Sequence, residues 1–256
     1  MRCIGLIGGM SWESTAEYYR LINQDVARRL GGLHSARIVM ASVDFAQIEA
    51  LQVAGDWDTA RELLAHEAVG LQAAGADFLV LCTNTMHKVA DGIEASVTIP
   101  LLHLADATAE AVGAAGVSRV GLLGTAFTME QDFYRDRLTA HGLDVLVPDA
   151  ADREVVHRVI YDELCHGVIR PQSRQRYLEV VDRLVDRGAA GVILGCTEIE
   201  LLLDADARAA VPLFPTTRLH ARAAVDLALS ASPSSAGREP AGPTRPPGSR
   251  RSTSGP

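Results

Sequence analysis

The chain has 256 residues, 48% hydrophobic and 22% charged, which suffices for one large or two modest globular domains with ample core. Its net charge is −8, and the body is more acidic still because Arg238, Arg245, Arg250 and Arg251 sit near the end against Glu239 alone, so a nucleic-acid partner is not expected. Four scattered cysteines (Cys3, Cys82, Cys165, Cys196) fit neither a disulfide framework nor zinc spacing; with no leader-like start and no apolar run of about 18 residues, a reduced cytoplasm without a membrane partner is expected.

In chain order, residues 3–7 form a short apolar strand that stops in Gly8-Gly9-Met10-Ser11. Tyr18, Ile22 and Val26 then mark a helix over 12–30, with Ser11 as its N-cap. Residues 36–43 are the next strand, closed by Asp44. A helix is predicted over 58–74, with Leu63, Leu64, Ala68 and Leu71 on one face and Gly75 ending it. The stretch GADFLVLCTNTMH (75–87) runs through apolar residues and stops abruptly in small polar ones, which predicts a buried parallel strand. A short helix begins near Asn84, and 98–102 is a further strand.

The pattern then restarts. SRVGLLGTAFTMEQDFYRDRL repeats the grammar of RCIGLIGGMSWESTAEYYRLI, pairing Tyr19-Arg20 with Tyr134-Arg135 at an offset of 115 residues. GAAGVILGCTEIE (188–200) echoes the earlier stretch at an offset of 113, pairing Thr83 with Cys196 and Asn84 with Thr197. Strands over 143–147, 191–194 and 211–214, with helices over 153–166, 173–187 and 216–229, complete the second half. The expected fold is α/β: two similar, duplicated, flavodoxin-like parallel-sheet lobes with the active site in the cleft between them. The expected division is 1–97 with 208–230 as the first lobe and its closing helix, 98–207 as the second lobe, and 231–256 as a disordered Ser/Pro/Gly/Arg tail.

Ligands of parallel α/β sheets bind at the carboxyl ends of strands, so the two echoing ends point to two half-sites facing one substrate. Gly5-x-x-Gly8-Gly9 lacks dinucleotide spacing, and no P-loop or metal-ligand spacing occurs, so no nucleotide, metal or other cofactor is expected. His103 with Asp106 reads either as a base with its orienter or as a satisfied histidine at a strand end. Cys3 and Cys165 read as buried, inert thiols. Cys196 lies beyond a strand where a helix is predicted to start, a setting that favours the thiolate. Cys82 and Thr83 must face opposite sides of their strand, and the internal repeat sets Thr83 opposite Cys196. An N-cap role for Thr83 is equally compatible with the sequence.

LCTNTMHK and ILGCTEIE, preceded by IGLIGGMSWEST, resemble the signatures of the aspartate/glutamate racemase family, cofactor-independent amino-acid racemases. The resemblance spans residues 1 to about 230. It implies two acid/base residues on opposite faces of the substrate Cα, acting without pyridoxal phosphate or metal. Carried onto this chain they are Thr83 and Cys196. Typical members have Cys at the first position; Thr83 is instead similar to a bacterial L-aspartate/glutamate-specific subgroup with a Thr/Cys pair. Glu198 stands where glutamate racemases have His. Around this pair Asn84, Thr85 and Thr197, with their backbone N–H groups at helix starts, would hold the α-carboxylate, Met10 would border the cleft, Gln52 is a candidate ligand for the distal group, and Glu198 would line the substrate site. Arg170 resembles a position that receives a side-chain carboxylate, or is a solvated helix-end charge. The expectation is therefore racemisation of L-aspartate or L-glutamate by a cytoplasmic homodimer. The alternatives are a relative that decarboxylates or isomerises a small diacid through one cysteine, and a non-catalytic amino-acid binder.

Overall fold

Short apolar runs bounded by small residues become buried parallel strands because helices cover both faces of the sheet they enter. The computed structural model describes residues 1–203 and 209–230. In it β1 (Ile4–Gly8), β2 (Ile38–Ser42), β3 (Phe78–Leu81) and β4 (Leu101–Leu102) form one parallel sheet in the order β2-β1-β3-β4. A second sheet, of β5 (Arg119–Gly124), β6 (Asp144–Leu146), β7 (Val192–Gly195) and β8 (Leu213–Pro215), repeats that order as β6-β5-β7-β8. The repeat read in the sequence is thus a repeat of topology. In each lobe the two central strands are β1 with β3 and β5 with β7, and their carboxyl ends carry the two echoing motifs.

The helices are α1 (Trp12–Leu30), α2 (Phe45–Ala54), α3 (Trp57–Ala73), α4 (Ala90–Ala95), α5 (Leu104–Ala114), α6 (Ala126–Glu130), α7 (Asp132–Ala140), α8 (Ala150–Asp162), α9 (Pro171–Asp186) and α10 (Thr216–Leu229). Ser11 caps α1 as expected, its side chain accepting from the Ser14 N–H at 3.2 Å. Helix α2 was not anticipated. Asp44 caps its start through the Ala46 N–H, and Gly55 ends it in the left-handed conformation. Gly9 sits at φ +94° between β1 and α1, where a Cβ would run into the backbone of Val43, so that turn accepts only glycine.

Two strands fall on the other side of the expected division. β4 pairs with β3, so the first lobe extends past residue 98, and β8 pairs with β7 in the second sheet. The chain then returns: Ala221, Ala224, Val225 and Ala228 of α10 join Tyr18, Ile22 and Val26 of α1 in one core. Residues 231–256 lie outside the described residues.

Three buried histidines sit at the junction of the lobes. His87 donates from Nδ1 to the Thr83 carbonyl at 2.7 Å and accepts the Leu104 N–H at Nε2, 3.2 Å. His220 donates from Nε2 to the Leu102 carbonyl at 2.8 Å and accepts the Tyr18 hydroxyl at Nδ1, 2.9 Å. His103 caps α5 by accepting the Ala105 N–H at Nδ1, 3.1 Å. Asp106 instead receives Arg137 at 2.7 Å and His141 at 2.9 Å, which removes the reading of His103 and Asp106 as a catalytic pair.

Candidate active site

The carboxyl ends of the central strands face one cavity of about 50 Å³. The first lobe contributes Met10 and Ser11 from the β1–α1 turn, Ser14 from the first turn of α1, Phe45 and Gln52 from α2, and Thr83, Asn84 and Thr85 beyond β3. From the second lobe come Thr125 beyond β5, Ile160 and Tyr161 on α8, Cys165, and Gly195 to Glu198 beyond β7. Eight of the nine residues named from the sequence therefore meet here: Thr83, Cys196, Met10, Gln52, Asn84, Thr85, Thr197 and Glu198.

Arg170 does not. It precedes α9, pairs with Glu163 at 3.3 Å, and lines a separate surface depression with Arg158 and Arg176. Its solvated helix-end alternative is the one the geometry fits. Among the described residues lining the cavity there is no lysine or arginine.

Just beyond the end of β3 two adjacent side chains part, one into the core and the other to the cleft. Cys82 is wholly buried in the core with Ile4, Leu6 and Tyr18, its thiol 3.8 Å from the Val80 carbonyl, and burial pushes its pKa far up. Thr83 lines the cavity, with its carbonyl held by His87.

At the other strand end, the expected helix is only a five-residue 3-10 turn (Thr197–Leu201), too short to bring a useful dipole to the thiol. The Cys196 thiol is pushed well above its ordinary value, first by burial and then by the Glu198 carboxylate, which accepts its proton at 2.9 Å. The expectation of a thiolate favoured by a helix start is thus overturned. Cys165 also departs from expectation. As a whole residue it is exposed and it lines the cavity, while its thiol is desolvated enough to be pushed up to about 12.

Hydroxyls knit the lobes together across this cavity. Ser14 Oγ lies 2.7 Å from Thr197 Oγ1, Thr217 donates to the same oxygen at 3.0 Å, and Thr85 Oγ1 lies 3.3 Å from Thr125 Oγ1. Asn84 donates from Nδ2 to Thr216 at 3.2 Å, leaving its buried Oδ1 without a partner among the described residues. Gln52 directs Nε2 to the Met86 sulfur at 3.0 Å. Sequence reasoning missed Ser14, Phe45, Thr125, Tyr161 and Cys165. The internal repeat carried a signal for Thr125, which follows Gly124 as Gly9 follows Gly8.

Residues 7–224 match the model of the Asp/Glu/Hydantoin racemase family. The chain belongs to that family. Among its solved relatives, a candidate Asp/Glu racemase from Yersinia pestis is 57% identical, with a TM-score of 0.85 over 90% of this chain and all of the other. An aspartate racemase homologue from Pyrococcus horikoshii OT3 is 32% identical, with a TM-score of 0.78 over 89% of this chain and 99% of its own. The broad-specificity amino-acid racemase RacX of Bacillus subtilis (strain 168) is 24% identical over 178 residues, 68% of this racemase-family chain and 75% of its own. Among the described residues no helix is long and apolar enough to cross a membrane, and no group of three or more His, Cys, Asp or Glu could hold a metal.

Proposed function

We propose that this protein racemises a small polar amino acid, L-aspartate or L-glutamate foremost, by removing the α-proton on one face of Cα and returning one on the other, without pyridoxal phosphate or metal. The observation that carries this reading is the meeting of the Thr83 hydroxyl and the Cys196 thiol in one cavity, from equivalent ends of β3 and β7. A racemase needs one proton-transferring group on each side of the carbon, and a duplicated fold supplies two. Family membership and the racemase relatives support the reaction class.

The surrounding groups suit an amino acid. The unpartnered Asn84 Oδ1 is an acceptor for the α-ammonium, and the Thr85 and Thr197 hydroxyls are donors for the α-carboxylate. With Arg170 elsewhere, a distal carboxylate would rest on neutral donors such as the Gln52 amide, and Met10 would border the cleft. A thiol held above its ordinary pKa is a stronger base once deprotonated, and it is the better acid/base of the pair, because an unactivated hydroxyl is weaker than a thiol. We expect the working enzyme to be a cytoplasmic homodimer.

Incubation with L-aspartate and with L-glutamate in D₂O tests the reading. Exchange of the α-proton together with appearance of the D enantiomer on chiral chromatography is the expected result. Release of CO₂ would point to a decarboxylase. Binding without exchange of either substrate would leave only an amino-acid binder and overturn the proposal.

A further inference from the structure

Thr83 lies where the first sheet lets go of the chain. The Cys82 N–H still bonds the Ile7 carbonyl of β1 at 2.9 Å, but the Thr83 N–H turns back to the Leu81 carbonyl, also at 2.9 Å, so its backbone leaves the ladder. At the equivalent place in the second lobe, the Cys196 carbonyl is held by a backbone group, the Ile199 N–H at 3.2 Å. The Thr83 carbonyl is held by a side chain instead. The ring of His87, in the 3-10 turn Thr85–Val89, donates to it at 2.7 Å. The far nitrogen of that ring accepts the N–H of Leu104 at 3.2 Å, and Leu104 opens α5 and packs in the second lobe's core with Val120 and Leu122. The first N–H groups of a helix have no partner within it, so this bond satisfies one of them. His87 is buried, and burial with its neighbours His103 and His220 keeps the ring neutral. Its one proton therefore sits on Nδ1, because Nε2 is an acceptor.

We propose that His87 is the positioning residue for Thr83, tying it to the lobe that carries Cys196 and so fixing the separation of the two proton-transferring groups across the cleft. This assignment rests on the racemisation reading above. Where the Thr83 hydroxyl stands follows from the backbone beneath it, and a misplacement of about 1 Å can cost a reaction about 100-fold. The two faces of Cα depend on this hold differently. On the face served by Cys196, the thiolate takes the α-proton, trades it for a deuteron with D₂O and returns the deuteron to the same face, which is exchange without inversion. Inversion needs delivery from the Thr83 side. A loosened Thr83 should therefore cut inversion more than exchange, a signature that a general loss of packing does not produce.

The test follows both enantiomers of aspartate and glutamate in D₂O, reading α-proton loss by NMR and inversion by chiral chromatography. It compares the wild type with His87→Asn, whose amide nitrogen can stand near Nδ1 and keep the bond to Thr83, and His87→Gln, whose amide can stand near Nε2 and keep only the bond to Leu104. In His87→Gln inversion should fall by about 100-fold. Exchange should fall less for the enantiomer whose α-proton faces Cys196, so its ratio of exchange to inversion rises. His87→Asn should keep the wild-type ratio, as should His103→Gln, which alters the same junction without touching Thr83. All three should lower the denaturation midpoint. An unchanged ratio in His87→Gln for both enantiomers, or an equal rise in His87→Asn, would overturn the role. The wild type labelled with ¹⁵N-histidine gives a reading that needs no variant to fold: His87 should carry its proton on Nδ1, and a proton on Nε2 would overturn the hold on Thr83. A wild type that neither exchanges nor inverts would remove the racemisation reading and this role with it, whereas a racemising wild type with an unchanged ratio in His87→Gln removes the role alone.

Discussion

Thr83 and Cys196 occupy equivalent places but are unequal bases, and their inequality should be visible in kinetics. Cys196→Ala removes the one cleft thiol at a strand end, so α-proton exchange should fall at least 100-fold, within the usual 10²–10⁴ range, while the fold survives. Near-full exchange in that variant would remove the mechanism. Equilibrium fixes the ratio of kcat/KM for the two enantiomers near one, so asymmetry must appear in kcat and KM separately. With Cys196 as the stronger base, one enantiomer should turn over faster; the resemblance to the L-specific subgroup makes that the L enantiomer, and Thr83→Cys should raise D turnover relative to L. Cys82→Ala should leave both rates nearly unchanged and lower the denaturation midpoint, because its thiol fills the core behind β3. Steady-state kinetics in both directions on the three proteins checks this. Loss of activity on Cys82→Ala would mean the pleat of β3 was read one residue out of register. Thr83 was legible because alternation along a strand leaves only one of two neighbours for the cleft, and the repeat said which. The state of Cys196 was not legible, since it depends on a carboxylate two residues away curling back in a 3-10 turn. Cys165 was misread for a similar reason: its place after Leu164 in sequence did not reveal that it lines the cleft.

At the scale of elements, strands were easier to see than their partners. Abrupt apolar runs marked all eight, but β4 and β8 were each given to the wrong lobe, because sequence order does not say which sheet a strand joins. Helix α2 escaped because FAQIEALQVA is apolar nearly all round, so it shows little 3.6-residue contrast; only its Asp44 and Gly55 boundaries were signals. The histidine cluster belongs to this scale too, since it joins the turn after β3 to α5 and α10. Burial lowers His103 and His220 to about 4, and burial with its two histidine neighbours takes His87 well below its ordinary value. The unfolded chain, with histidines near 6.5, binds more protons than the fold below that pH. Their contribution to stability is therefore complete above about pH 6.5 and is lost as pH falls towards 4. Each should contribute a slope approaching about 1.4 kcal/mol per pH unit inside that window. Urea denaturation between pH 7.5 and 5 should show stability falling with acid, and more shallowly in His103→Gln. An equal slope in that variant would mean that His103 titrates normally in the fold.

For the molecule as a whole, the cavity measures about 50 Å³ as it stands, and we expect the lobes to part as an amino acid enters. Such a motion would loosen contacts between the lobes. Trp57 of the first lobe meets Phe127 of the second edge-on, with ring centroids 5.9 Å apart. Lys88 Nζ lies 3.9 Å from the Trp57 ring centre and donates to Gln131 at 2.6 Å. The chain has two tryptophans, and Trp12 is exposed, so Trp12→Phe leaves Trp57 as the sole indole reporter at this seam. Stopped-flow emission of that variant should change on mixing with L-aspartate, and Phe127→Ala should abolish or reverse the change. Emission indifferent to ligand would mean that the rim stays closed around whatever enters.

Two units built from L-residues can be brought into coincidence by rotation but never by reflection, whereas the two forms interconverted in the proposed reaction are reflections of one another. The strand order β2-β1-β3-β4 recurs as β6-β5-β7-β8, so the two strand ends that line the cavity come from equivalent places in the two sheets. Identical residues at the strand ends would therefore still leave the two hands inequivalent inside a chiral cleft. A hydroxyl at one end and a thiol at the other add a difference in acid–base strength to that inequality, and a one-residue change at Thr83 should narrow it.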